Sequence, residues 1–282
     1  MDVVGDLSAL DRSVPIAFVP TMGALHRGHV DLINRARTYT SSVVVSVFVN
    51  PLQFDNADDL LKYPRTPEMD GEIAQSAGAS TLWFPQMAQL YPNDFEKIPT
   101  PPLGEIFEGV HRPGHFSGVL TAVSALFTAV KPRWAIFGEK DFQQLFLIRE
   151  MAKQMQPDIE IVGVETVRDS DGLAISSRNV RLDPESRSAA LVLPRALGRA
   201  ALEQDLPRAR QILLEEISME TRFILDYAEI IDETTFSLAT KETSARRGLV
   251  AGWVGGIRLI DNLAMSFLAP SLAPVAVARG EG

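Results

Sequence analysis

The chain of 282 residues contains no cysteine. Disulfides, cysteine nucleophiles and thiolate-rich zinc or iron–sulfur sites are therefore excluded. Positive charge is also short. Twenty-seven Lys and Arg stand against 36 Asp and Glu, for a formal net charge of −9. Duplex affinity rests on Lys and Arg neutralising phosphates, so no nucleic-acid partner is expected. A small anionic substrate needs only a few local donors and stays open. The opening residues Met1-Asp2-Val3-Val4-Gly5-Asp6 lack a basic stretch followed by an apolar one, so no secretory signal is expected. The uncharged run from Phe116 to Val130 is too short to span a bilayer and carries Ser117, Thr121, Ser124 and Thr128. It reads as a buried helix. The expectation is a cytoplasmic protein with no membrane partner.

What is present is globular: 46% of residues are hydrophobic and 22% charged. The length suits one large domain or two ordinary ones. Strands are expected at Ile16–Val19, Val43–Val49, Thr81–Phe84, Trp134–Phe137 and Ile159–Val164. Helices are expected at Val30–Thr38, Pro67–Ala77, Gly118–Val130 and Phe142–Gln156. Val43 to Val49 is apolar on both faces, as central parallel strands are. Alternating strands and helices imply an α/β fold with a doubly wound parallel sheet. The proline-rich stretch Tyr91–Gly104 reads as a long surface loop. After Val167 the pattern changes. Pro184–Ala201 and Leu206–Met219 read as helices. Phe223–Ile231, Arg247–Val254 and, past a Gly255-Gly256 turn, Ile257–Ile260 read as strands. Two domains are expected, residues 1–170 and a smaller α+β unit over residues 171–282.

Four motifs follow the expected strands, where doubly wound sheets bind ligands. The first is Pro20-Thr21-Met22-Gly23-Ala24-Leu25-His26-Arg27-Gly28-His29. A helix N-terminus carries unpaired N–H groups and partial positive charge, which attract phosphate. Two imidazoles there can add donors. Capping histidines, or two ligands of a metal site joined by His111 or His115, are the alternatives that remain open. The second is Asn50-Pro51-Leu52-Gln53, whose neutral amides suit a small hydroxy acid or, equally, a solvated turn. In the third, Gly138-Glu139-Lys140-Asp141-Phe142-Gln143-Gln144, Lys140 offers charge to a phosphate. Asp141 can accept from ribose or cap the helix, and Gln144 can face the cleft with Gln53. The fourth is Asp171-Gly172-Leu173-Ala174-Ile175-Ser176-Ser177-Arg178-Asn179. Two hydroxyls beside an Arg form a phosphate clamp, with a capped helix start as the alternative.

Together with Tyr63-Pro64-Arg65-Thr66, Arg112-Pro113-Gly114-His115-Phe116 and Arg258-Leu259-Ile260-Asp261-Asn262, these motifs resemble the pantothenate synthetase (pantoate–β-alanine ligase) family nearly end to end. The resemblance implies a Rossmann-like ATP domain, a small C-terminal lid and a homodimer formed through the N-terminal domains. It implies ATP with Mg²⁺, (R)-pantoate and β-alanine as substrates, and pantothenate, AMP and pyrophosphate as products. By position, Met22, Gly23, His26 and His29 hold ATP, and Gly138, Glu139, Lys140 and Asp141 continue the nucleotide site. Val167, Ile175, Ser176, Ser177 and Arg178 complete it. Gln53 and Gln144 hold pantoate and β-alanine, with Asn50, Pro20 and Met22 beside them. Where the family has adjacent acidic residues near the metal, this chain has Glu68-Met69-Asp70, which makes Asp70 the expected metal ligand.

The expected mechanism is carboxylate attack on the α-phosphate, followed by attack of the amine on the acyl carbon. An anion must approach a polyanion, so fixed donors are the main catalytic device. His26, His29, Lys140, Ser176, Ser177 and Arg178 take that role, and Mg²⁺ offsets the leaving pyrophosphate. A helix N-terminus disfavours imidazolium while triphosphate favours it, so sequence leaves the histidines' protonation open. Two other classes compete. An adenylyltransferase acting on a phosphorylated metabolite would need extra basic residues where Asn50, Gln53 and Gln144 are neutral. A nucleotide-binding regulator would bind ATP without releasing pyrophosphate.

Overall fold

The computed structural model describes residues 1–54 and 57–266. Six strands, β1 (Asp2–Val4), β2 (Ala17–Thr21), β3 (Val43–Val47), β4 (Thr81–Trp83), β5 (Trp134–Gly138) and β6 (Glu160–Val164), form one parallel sheet. Their order is β1-β4-β3-β2-β5-β6. The connections carry α1 (Arg27–Arg37), α2 (Ala57–Lys62), α3 (Pro67–Ala77), α4 (Met87–Leu90), α5 (Glu108–His111), α6 (His115–Val130) and α7 (Phe142–Met155). Ile33 and Ala36 of α1 and Ala74 of α3 pack with Val19 and Val45 on one face of the sheet. Phe127 of α6 and Leu145 of α7 pack with Phe18 and Val44 on the other. Covering both faces removes any polar side from β2 and β3, which is why their sequences do not alternate.

The doubly wound α/β sheet is the one the pattern implied. Its edges carry the differences. β1 was not expected, because three residues hold too little periodicity, and it extends the sheet only by pairing with β4. α2 was not expected either. α1 begins at Arg27 and α6 at His115, each earlier than apolar periodicity suggested, because polar residues make their first turns. The 91–104 segment is indeed mostly irregular, but it is not all surface. Tyr91 is buried, and Phe95 and Ile98 pack against the core.

The sheet opens where it must for a ligand. β2 pairs with β3 as far as Thr21–Val47, yet with β5 only through Ala17 and Phe18. Beyond Phe18 the strands part, and Pro20, with no N–H to donate, falls in the unpaired stretch. The crevice so formed lies at the carboxyl ends of the strands, at the point where strand order reverses.

Residues 165–176 contain only an isolated Arg168–Ala174 bridge and lead into the smaller α+β unit. It comprises α8 (Pro184–Ala190), α9 (Val192–Ala201), α10 (Leu206–Ser218) and an antiparallel sheet β7 (Ile224–Asp232), β8 (Ala245–Val254), β9 (Ile257–Ser266). β9 continues past the expected Ile260, and its register with β8 runs to Ala245–Ser266. The unit has its own core, yet Ile231, Phe236 and Leu249 belong to the cluster under α6 and α7. Phe236, fully buried at a left-handed φ of 58°, sets its ring 5.1 Å from Phe146 and 6.0 Å from Phe107. The two units share an apolar seam. Among the described residues no helix is long and apolar enough to cross a membrane.

Candidate active site

A cavity of about 270 Å³ occupies the crevice. His26 and His29 line it at the head of α1, and they cap the helix reciprocally. His26 Nδ1 accepts from the Gly28 amide at 3.1 Å, and His29 Nδ1 accepts from the His26 amide at 3.2 Å. Capping and ligand binding are thus not alternatives here. Each Nδ1 is spent as an acceptor, which fixes the neutral tautomer and leaves each Nε2–H as a donor. The rings lie 4.2 Å apart. Burial lowers the pKa of His29 to about 3, with His26 adding to the effect. Burial and then the nearby Lys140 lower that of His26. Both imidazoles are neutral hydrogen-bond donors, not cations.

The loop before them is strained and clamped. Gly23 has φ 85° and Ala24 φ 50°, and a left-handed Ala costs about 1–2 kcal/mol. Asp70, 1% exposed, holds this shape: Oδ1 accepts from Leu25 N at 2.8 Å and Thr66 Oγ1 at 3.1 Å, and Oδ2 from Ala24 N at 3.2 Å. A Cβ on residue 23 would stand 2.9 Å from Asp70 Oδ2. Asp70 was expected to bind metal; in the unliganded chain its oxygens hold the loop, and it does not line the cavity. Gly23 likewise shapes the loop from a buried position and does not line the cavity.

The neutral-amide cluster also divides into holder and held. Asn50 is 1% exposed, and its Nδ2 donates to Gln53 Oε1 and Gly118 O, both at 3.0 Å. Its Oδ1 accepts from Leu52 N at 3.1 Å and the Tyr91 hydroxyl at 2.9 Å. Asn50 was expected to contact substrate; it lines the cavity, but both its amide donors are committed, and they position Gln53. Gln53 Nε2 reaches Met22 Sδ at 3.0 Å. Gly118 permits this packing, since a Cβ there would lie 2.1 Å from Leu52 O. His115 Nδ1 donates to Gln53 O at 2.8 Å and its Nε2 accepts from Arg112 at 3.1 Å. Burial and then Arg112 push His115 down to about 4.

The remaining expected residues meet here, with one exception. Pro20, Met22, Gly138, Lys140 and Asp141 line the cavity, as do Gln53 and Gln144. Val167, Ile175, Ser176, Ser177 and Arg178 close the other side. The half-exposed Asp141 carboxyl loses some hydration to the crevice walls, but Lys140, Arg178 and Arg112 outweigh that and hold it below the ordinary carboxylate range. Ser176 caps a 3₁₀ turn by accepting from Arg178 N at 3.3 Å, and its hydroxyl proton stays available. Glu139 is the exception. It was expected to contact nucleotide, but it does not line the cavity, and its carboxylate bonds Arg247 Nη2 of β8 at 3.0 Å.

Sequence reasoning missed several contributors. Tyr63 and Arg112 line the cavity, and Val119, Val123 and Leu126 of α6 with Leu145 form an apolar wall. Arg112 and His115 were legible only as part of a motif, because polar residues at a helix start carry no periodic signal. Among the described residues no three His, Asp or Glu side chains gather as a metal cage.

Donors for a phosphate chain on one side, with neutral amides and an apolar wall on the other, describe a site for a nucleotide beside a small hydroxy acid. The sequence profile of pantoate-beta-alanine ligases matches residues 3–264. The chain belongs to the pantoate-beta-alanine ligase family. It is 46% identical over 256 residues to the pantothenate synthetase of Rhizorhabdus wittichii, covering 89% of this chain and 91% of that one. A crystal structure of the Thermus thermophilus pantothenate synthetase superposes with a TM-score of 0.89 at 42% identity, covering 94% of this chain and all of that one. The Francisella tularensis pantoate-beta-alanine ligase, complexed with beta-gamma ATP and beta-alanine, superposes with a TM-score of 0.77 at 32% identity, covering 94% and 98% of the two chains. A pantoate-beta-alanine ligase is an enzyme, and this chain has the family's fold throughout its described length.

Two outcomes are expected of this ligase site. Asp70→Ala leaves two buried amides without their acceptor, so it costs about 3 kcal/mol in urea unfolding. It also weakens nucleotide affinity while leaving the dependence on Mg²⁺ concentration unchanged. A changed metal dependence with unchanged stability would restore Asp70 as a ligand. The second concerns pH. His29 and His115 stay neutral when folded, whereas unfolded imidazoles protonate near their ordinary 6.5. Stability is therefore full above that value and falls as pH drops through it toward 4. Removing one such group, by His115→Asn, reduces the slope by about 1.4 kcal/mol per pH unit. Equal slopes in both proteins would contradict the neutral assignment.

Proposed function

We propose that the two Nε2–H donors and Lys140 grip the α-phosphate of ATP while pantoate, held by Gln53 and Gln144, attacks it. The observation that carries this reading is the reciprocal histidine cap, because it aims two neutral donors into the cavity without adding charge that burial would oppose. A pantoate carboxylate oxygen forms the new bond to the α-phosphorus as the bond to the pyrophosphate oxygen breaks. Negative charge builds on the phosphate in passing, and donors already in place stabilise it without reorganising. Ser176, Ser177 and Arg178 take the departing phosphates. The apolar wall of α6 receives the hydrocarbon part of pantoate and keeps water from the mixed anhydride. The free amine of β-alanine then forms the amide bond to the acyl carbon, AMP leaves, and the amine's surplus proton goes to solvent.

The donor set fits a metal that enters with the nucleotide. Asp141 and Glu165 are the carboxylates lining the cavity, and Mg²⁺ is commonly held by one or two carboxylates together with substrate phosphates. There it would offset charge on the leaving pyrophosphate. We place the reaction in the cytoplasm, where ATP is made available, and infer a homodimer through the N-terminal domains on the family resemblance.

Purified protein with Mg·ATP is expected to release pyrophosphate only when pantoate is added, and to accumulate AMP and pantothenate once β-alanine follows. His29→Ala should slow the pantoate-dependent release by about 10²–10³-fold. Undiminished adenylate formation in that variant would overturn the assignment of His29.

A further inference from the structure

Arg258-Leu259-Ile260-Asp261-Asn262 stands outside the chemistry described above, yet its polar members are all buried or paired. Arg258 forms a two-pronged pair with Glu108, at 2.7 and 2.8 Å, and reaches Asp226 at 2.8 Å. Asp261, 3% exposed, takes both prongs of Arg168 at 2.7 and 2.9 Å. These pairs fasten β9 in place. Asn262 does something different. Its Nδ2 donates to the carbonyls of Glu139 at 2.9 Å and Lys140 at 2.8 Å, across the seam between the two units. Its Oδ1 accepts from Arg247 at 2.6 Å, which leaves no freedom to flip. Arg247 itself bonds Glu139 Oε2 at 3.0 Å and lies 3.9 Å over the Phe142 ring. Three residues of this turn, Glu139, Lys140 and Phe142, are thus met from β8 and β9 by two buried side chains.

We infer that Asn262 is a positioning residue: it sets the backbone of the Glu139–Lys140 turn, and through it the reach of the Lys140 ammonium into the phosphate side of the cavity. The inference rests on the reading of Lys140 as a phosphate donor. The turn after β5 otherwise lacks a local fix, since no side chain of its own caps α7. Lys140 Nζ stands 3.9 Å from Asp141 Oδ1, with its side chain 20% exposed. A long side chain loses its aim when the backbone beneath it can rotate. The Asn262 amide thereby ties the C-terminal unit to the backbone that carries Lys140.

The test is a double-mutant cycle of Asn262→Ala and Lys140→Ala on the full chain, with two readouts. One is the single-turnover rate of pantoate-dependent pyrophosphate release. The other is affinity for the magnesium complex of a non-hydrolysable ATP analogue, by calorimetry. Asn262→Ala alone is expected to slow release by about 10–10²-fold, the cost of a misplaced group near reacting atoms. In the Lys140→Ala background its further effect on either readout should fall below about twofold, since a residue acting through Lys140 has nothing left to position. Consumption of supplied pantoyl adenylate with β-alanine should change little. Multiplicative losses in the cycle would overturn the inference, as would equal losses in both half-reactions, because both mark general damage to the seam. If Asn262→Ala does not fold, Asn262→Ser carries the same cycle with one donor left for two carbonyls. The affinity readout needs no turnover, so it decides the coupling even where pyrophosphate release fails and the ligase reading falls with it.

Discussion

The first turn of a helix has amide groups with no helical partner, and in α1 two of them are answered by imidazole nitrogens. That reciprocal cap between His26 and His29 is the constraint on which the site depends. It stabilises the helix start by about 1 kcal/mol per cap, as any good N-cap does. It also decides chemistry, because an Nδ1 that accepts from the backbone forces the proton onto Nε2. The helix and the catalyst are built by the same two hydrogen bonds. Protonating either ring would break its cap and place a cation at the positive end of a helix dipole, so the cap favours the same neutral form of His29 that burial favours.

Around that constraint the molecule separates residues that hold from residues that touch. Asp70 holds the left-handed loop that delivers His26, Asn50 and His115 hold Gln53, and Asn262 holds the Lys140 turn. Each holder is buried and its hydrogen-bonding capacity is committed, which is what makes it rigid. Each held residue keeps its polar tip in the cavity. Preorganisation of this kind matters most for a reaction between two anions, where donors that had to be recruited from solvent would cost reorganisation at the moment of attack.

This division explains what the sequence conveyed. Strand-end position and residue type were enough to bring His26, His29, Gln53, Lys140, Ser176 and Arg178 to one crevice, because the crevice is a consequence of sheet topology and the apolar runs of β2, β3 and β5 reveal that topology directly. The same reasoning could not separate Asn50 from Gln53, and the family resemblance could not reveal what the Asp70 and Glu139 carboxylates bond within the fold. Whether an amide or carboxylate is free depends on partners distant in sequence, such as Tyr91 for Asn50 and Arg247 for Glu139. β1 and α2 were missed because their segments are too short for periodicity to register. The seam was missed because Phe236 meets the larger core from a turn, where no repeating pattern announces burial.

The central claim is that both histidines of the motif are neutral Nε2–H donors before any ligand arrives. Nitrogen-15 NMR of the imidazoles in the unliganded chain, titrated from pH 8 to pH 4, reads tautomer and charge directly. The account predicts an Nε2–H tautomer for His26 and His29, with His29 remaining uncharged throughout. An Nδ1–H tautomer, or protonation of His29 near the ordinary value of 6.5, would contradict it.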